Sequence, residues 1–243
     1  MKILMFTPFI FATALLAQEA DKNEEPSALS SAESTRQSSL YLGYQEGLRT
    51  AQKQMKEEDF HPQAYLEGFL LGLKGEKISL SPDEIREAMT RLQEKLTARE
   101  AETAKANLEA GQAFLAANET QKGVIKTNSG LQYRIVKTGE GEVFGEKGLS
   151  GKELSVHFRG TLPDGSEFSV SDEFSPSKIQ FDEAISGFRE ALTLMRQGDR
   201  WVVFIPSDLA YGDQRRSSKI GPNQLLIFEI ELVDVHEPAA PAK

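Results

Sequence analysis

Cysteine is absent from all 243 residues of this chain. No disulfide can brace it, so an oxidising compartment would leave no covalent mark on the fold. No thiolate is available as a nucleophile, metal ligand or lipid acceptor. Histidine is nearly as scarce. His61, His157 and His236 lie far apart in different predicted elements with no ligand spacing between any pair, whereas a metal site needs clustered ligands. No Gly-x-Ser-x-Gly elbow presents a serine, and no glycine loop ahead of a helix offers a phosphate cradle. The usual routes to a hydrolase or a kinase are therefore closed, and neither metal nor cofactor is expected.

Positive charge is also short. Lys and Arg number 28 against 37 Asp and Glu, a net charge of −9, which argues against nucleic acid or an anionic membrane surface as a partner. With 39% hydrophobic and 27% charged residues the chain reads as soluble and globular, long enough for two modest domains. It has one long apolar run. After Lys2, residues 3–16 are interrupted only by Thr7, Pro8 and Thr13, and the small residue Ala17 closes the run. That layout predicts a signal peptide over residues 1–17. About 14 apolar residues are too few to span ~30 Å of hydrocarbon. The expected product is periplasmic or secreted, with no membrane insertion after cleavage.

Residues 18–36 are rich in Glu, Ser and Asn, with few large apolar side chains, and are expected to form a flexible lead-in. An all-helical region is expected over residues 37–118. Leu40, Gly43, Tyr44, Gly47, Leu48 and Ala51 recur at three- and four-residue spacing, which marks one helix face. Pro62 opens a second helix, whose apolar stripe is Tyr65, Phe69, Leu70 and Leu73 and which Gly75 stops. Ser81-Pro82-Asp83-Glu84 is a capping signal for a third. This helix is expected to run to about Ala117, interrupted only by Gly111, at ~1.5 Å per residue. Ile85, Met89, Leu92 and Leu96 make its start amphipathic, whereas residues 97–109 hold only Leu108 as a large apolar side chain. That stretch predicts a helix in water on nearly all sides, a rod between two bodies. Such a thin helical core favours packing against a second copy, so the region is expected to be a dimerisation arm.

From Gly123 the apolar period becomes two. Leu131, Tyr133 and Ile135 alternate, as do Leu154, Val156, Phe158, Gly160 and Leu162, and later Leu226, Phe228, Ile230 and Leu232. Trp201 to Ile205 is continuously apolar, as in a strand covered on both faces. Gly187 to Met195, with Phe188, Leu192 and Met195 on one face, is the single helix expected among these strands. The fold class is α+β, an antiparallel sheet wrapped around one short helix over residues 119–237, with a tail over 238–243.

Five motifs then resemble the FKBP-type peptidyl-prolyl isomerases in order and spacing. They are Val156-His157-Phe158-Arg159-Gly160-Thr161-Leu162, Asp164-Gly165-Ser166-Glu167-Phe168, Ile185-Ser186-Gly187-Phe188, Pro206-Ser207-Asp208-Leu209-Ala210-Tyr211-Gly212, and Ile220-Gly221-Pro222 running on to Phe228. The helical region, with Ser129-Gly130-Leu131-Gln132-Tyr133 at its junction, resembles the dimerisation arm of Mip-like members. The resemblance implies catalysis of X–Pro isomerisation in unfolded or partly folded polypeptides, and inhibition by FK506-like macrolides. It implies catalytic roles for Tyr211, Phe168, Ile185 and Phe158, with the Ile185 N–H and the Tyr211 O–H as donors to the peptide. Phe188, Ile220, Phe228, Ala184 and Ser169 would bind substrate. The chain departs from the family in four places. Ser169 stands where an aspartate is usual, Phe158 for a frequent tyrosine, Ala184 for a frequent valine and Phe188 for a common tryptophan. Loss of the carboxylate at Ser169 implies lower activity. A holdase chaperone without turnover is the first alternative, and an adhesive surface protein using the long helix as a stalk is the second.

Overall fold

The structure, a computed structural model, describes residues 30–52 and 54–237. The expected signal peptide, residues 18–29 of the lead-in and the tail over 238–243 lie outside the described residues. Among the described residues, those up to Gly47 are a unit of their own, and those from Leu48 onward form one compact unit that includes the expected boundary at residue 118.

Helix α1 spans Ser31–Gln52. It begins six residues before the expected start of the helical region at residue 37, because Ser30 caps it: the Ser30 Oγ accepts the Glu33 N–H at 3.2 Å. Thr35 and Ser38 donate their hydroxyls back to the Ser31 and Thr35 carbonyls. Helix α2 spans Pro62–Lys74, with proline in its first turn and Gly75 closing it at φ 69°. The cap is His61, whose Nδ1 accepts the Ala64 N–H at 3.3 Å.

Helix α3 spans Pro82–Glu119, 38 residues or about 57 Å at the usual rise. Its start is a reciprocal capping box. The Ser81 Oγ accepts the Glu84 N–H at 3.2 Å, and the Glu84 carboxylate accepts the Ser81 N–H at 2.8 Å. The Ser81 N–H first, and then the Ser81 hydroxyl, which also donates to the carboxylate at 2.8 Å, hold the Glu84 carboxyl below its ordinary pKa. Farther along, the Asp59 side chain, with no exposed surface, receives Arg99 at 2.7 Å and Lys95 at 2.6 Å. It also accepts the Lys56 N–H at 2.8 Å, and this set, Arg99 first, holds Asp59 well below the usual carboxylate range.

Past Arg99 one face of the helix is covered, where the sequence reading had water on nearly all sides. A stripe at helical spacing meets the sheet domain. Asn107 Nδ2 donates to the Pro222 carbonyl at 2.8 Å, Gly111 is buried, and the Phe114 ring lies 5.8 Å from that of Phe204. At the end Asn118 donates to the Gln132 side-chain oxygen, and Gln132, 1% exposed, donates to the Leu115 carbonyl. Counting large apolar side chains misses this seam, because small and polar residues make most of it.

The sheet contains β1 (Val124–Lys126), β2 (Gln132–Lys137), β3 (Glu153–Thr161), β4 (Glu167–Val170), β5 (Ser177–Gln180), β6 (Arg200–Ile205) and β7 (Leu226–His236). The order is β1-β2-β6-β7-β3-β4, every pairing antiparallel, with β5 beside the first half of β3. Leu226, Phe228, Ile230 and Leu232 of β7 are all buried, as their alternation predicts. The apolar run of β6 has the expected cover on both faces: Val203 and Ile205 face the core, and Phe204 faces α3. Helix α5 (Ser186–Leu194) supplies Phe188, Ala191 and Leu192 to the core. It is not the only helix among the strands. A single turn, α4 (Gly145–Leu149), buries Leu149 completely. Its glycine-flanked five residues are too short to show a period.

Candidate active site

The site begins at Gly160. It pairs with Phe228 across the β3–β7 ladder and with Ser169 across β3–β4. A Cβ on Gly160 would lie 2.6 Å from the Phe168 ring and 3.0 Å from the Phe228 ring. Only glycine lets these rings meet over the backbone.

Phe228 is the hub. Phe188 meets it edge-on with centroids 5.2 Å apart, Phe168 edge-on at 5.3 Å, and Phe158 tilted at 6.2 Å. Phe158 and Phe188 are themselves edge-on at 6.4 Å. Such edge-to-face contacts are favoured by the ring quadrupoles. Phe188 and Phe228 are 4% and 7% exposed and form a floor, while Phe158 and Phe168 are half-buried and stand at the sides. Phe228 and Phe188 therefore lie together at the base of the cluster.

The rim comes from turns. Asp164 Oδ1 accepts the Ser166 hydroxyl at 2.6 Å and the Ser166 N–H at 2.9 Å, and the hydroxyl bond foremost lowers the Asp164 pKa. With Gly165 at φ 85°, this turn returns the chain into β4 and places Phe168. Ala184 ends a short 3-10 turn, and Ile185 caps α5 in extended conformation without a side-chain bond. Both are half-buried against the core cluster, as is Tyr211. Among the described residues nothing accepts the Ile185 N–H or engages the Tyr211 hydroxyl, so both expected donors are unengaged. Ile220, 7% exposed, joins the buried cluster from the loop between Tyr211 and β7. Ser169 is half-buried on β4, adjoining Gly160. The nine residues singled out in the sequence thus lie on or beside one apolar cluster.

Sequence reasoning missed Arg216, whose guanidinium sits 5.5 Å from the Tyr211 ring centroid. It lies in the run Arg215-Arg216-Ser217-Ser218, which has no periodicity to set it apart. The contacts from α3 to the same loop were missed too. The cluster contains no nucleophile and no acid–base pair. What it can do is surround an apolar group with rings and offer two hydrogen bonds at its edge.

Two family models match the chain: "Domain amino terminal to FKBP-type peptidyl-prolyl isomerase" over residues 35–135, and "FKBP-type peptidyl-prolyl cis-trans isomerase" over residues 145–233. The outer membrane protein MIP of Legionella longbeachae is 34% identical over 186 residues, covering 74% of this chain and 78% of that one. The FKBP-type 22 kDa peptidyl-prolyl cis-trans isomerase of Escherichia coli is 31% identical over 200 residues, covering 82% and 94%. Among solved structures, FkpA from Escherichia coli matches with a TM-score of 0.58 at 25% identity, covering 90% of this chain and all of that one. Sheet, aromatic cluster and helical region thus converge on one assignment: the chain belongs to the FKBP-type peptidyl-prolyl cis-trans isomerases and carries the helical domain that precedes the isomerase domain in that family.

Proposed function

We propose that this enzyme accelerates X–Pro isomerisation during the folding of exported proteins, by binding the twisted amide in the cluster around Phe228. Rotation about a peptide bond faces a barrier of ~18–20 kcal/mol, because planarity carries resonance. At X–Pro the two planar forms lie within about 1 kcal/mol and exchange slowly. No bond has to break, so the protein need only bind the perpendicular geometry better than either planar one. The planar amide is the more charge-separated species, and an apolar surround favours the twisted one. The Ile185 N–H and the Tyr211 O–H hold the peptide's carbonyls while the proline ring rests on Phe188 and Phe228. A hundredfold acceleration requires only ~2.7 kcal/mol of differential binding.

The observation that carries this reading is the four-ring cluster with two unengaged donors at its edge. A protease-coupled assay on a short X–Pro peptide tests it. The full chain should raise the cis-to-trans rate, an FK506-like macrolide should abolish the gain, and Phe168→Ala or Tyr211→Phe should lower it at least tenfold. His157→Ala should leave it unchanged. Equal rates with and without protein would refute the activity.

The helical region supports a homodimer. Leu40 and Tyr44 on α1 are 66% and 60% exposed, and Phe69 and Leu73 on α2 are 55% and 71% exposed, more apolar surface than a lone chain usually leaves in water. The apolar run over residues 3–16, read as a leader, supports an enzyme that works in the periplasm or outside the cell. Among the described residues no helix is long and apolar enough to cross a membrane. The same apolar faces, together with the missing carboxylate at Ser169, favour a second role as a holdase. Suppression of client aggregation by a Tyr211→Phe protein would separate that role from turnover.

A further inference from the structure

The loop between Tyr211 and β7 forms a lip over residues 213–222. Its neck is closed where the Asn223 N–H donates to the Gly212 carbonyl at 2.7 Å. Within it, the Ile220 carbonyl accepts the Arg216 and Ser217 N–H groups at 3.0 and 3.2 Å, and Ser217 Oγ accepts the Ile220 N–H at 3.1 Å. These bonds shape a turn but do not fix it to the rest of the molecule. On one side the lip is fixed by Lys219, whose ammonium donates to the Glu167 carbonyl of β4 at 2.9 Å.

On the other side it is fixed by α3, more than a hundred residues away in sequence. Arg215 makes a forked pair with Glu100, Nε at 2.9 Å and Nη2 at 2.8 Å, with the two side chains only 18% and 32% exposed. Asn107 donates to the Pro222 carbonyl at 2.8 Å, and Asn223 donates to the Ala104 carbonyl at 3.3 Å. The fit between these bonds is close, since a Cβ on Gly221 would lie 2.9 Å from Asn107 Nδ2 and 3.6 Å from Thr103 Cγ2. Ile220 lies between Lys219 and the α3 bond at Pro222. It is 7% exposed although residues 216–219 before it are all exposed.

We propose that Glu100 and Asn107 are positioning residues, through which α3 holds the lip and so sets the affinity of the aromatic site for its peptide; this rests on the isomerase reading above. A loop ordered before the substrate arrives does not have to be ordered by it, and that saving appears in binding. A forked, partly buried Arg–carboxylate pair suits the task, because its geometry is specific where an exposed ion pair would contribute little. The effect belongs to the lip, not to the fold as a whole.

The test uses the full chain with Glu100→Ala, Asn107→Ala and both together. Alanine is the best helix former, so α3 itself is preserved. The amides of Ser217 and Ile220 should exchange with deuterium at least tenfold faster in the double variant, while amides of β6 and β7 stay as in the parent. For an X–Pro peptide KM should rise about fivefold with kcat within twofold. The exchanged pair Glu100→Arg with Arg215→Glu should recover most of what Glu100→Ala loses. Unchanged exchange at the lip overturns the proposal, and so does faster exchange without a change in KM. An exchanged pair no better than Glu100→Ala overturns the role of the ion pair. A parent protein without isomerase activity defeats the reading of the site instead, and the exchange comparison still decides whether α3 orders the lip.

Discussion

The two halves of helix α3 differ in a way that runs against their composition. The first half carries the apolar side chains that ought to pack, yet Ile85 and Met89 are 38% and 58% exposed. The second half holds mostly Ala, Glu, Lys and Asn, yet Asn107, Gly111, Phe114 and Asn118 all meet the lip or the sheet domain. Gly111 shows how. A Cβ there would lie 3.3 Å from the Cβ of Leu225, so the helix approaches the domain by having no side chain at that point. Apolar content predicts where a helix needs cover, whereas small residues and amides decide where it can dock in register.

Three substitutions would sharpen this contrast. The largest effect is expected at Gly111→Leu, where the new side chain must displace Leu225 or the helix. Overpacking of this kind costs about 1–3 kcal/mol, and urea unfolding should show it, while Ala110→Leu on the exposed side should not. Next is Ser81→Ala in the first half, which removes a cap worth about 1 kcal/mol to the helix and the smaller of the two hydrogen bonds that lower the Glu84 pKa, while the backbone N–H at residue 81 remains. Both Glu84 and Asp59 have folded pKa values below their unfolded ones. Their contribution is therefore complete above the ordinary carboxylate range and is lost as pH falls through the lowered values. Amide protection in the first half of α3, taken relative to the intrinsic exchange rate at each pH, should thus be unaltered by these groups from pH 7 to about 5 and fall below about 4. A loss between pH 7 and 5 would contradict that assignment. The smallest effect is expected at Met89→Gln, within about 0.5 kcal/mol of the parent for an exposed side chain. A larger loss that grows on dilution would mean that a second copy covers this half.

Much of the fold was legible because its signals are local. The capping box at Ser81, the stop at Gly75 and the alternation along β7 each follow from residues within a few positions of one another. The site was legible for a different reason: its rings sit in turn-rich motifs whose spacing the family shares. What stayed hidden depends on distant partners. Nothing near Arg215 in the sequence points to Glu100, and nothing near Gln132 reveals that its amide is buried against Leu115. The early start of α1 was hidden because serine and threonine favour both turns and helix ends, and the bond from Glu33 to Ser30 decided between them.

The seam along α3 also bears on where the enzyme can be cut. A fragment starting at β1 would leave Phe204, now 7% exposed, facing solvent without Phe114, and would strip the Gln132 amide of its acceptor at Leu115. Such a fragment should precipitate readily and bind hydrophobic dyes. The shortest well-behaved piece that keeps the sheet domain should therefore begin within the helix, ahead of Glu100, so the expected boundary at residue 118 is a poor place to truncate.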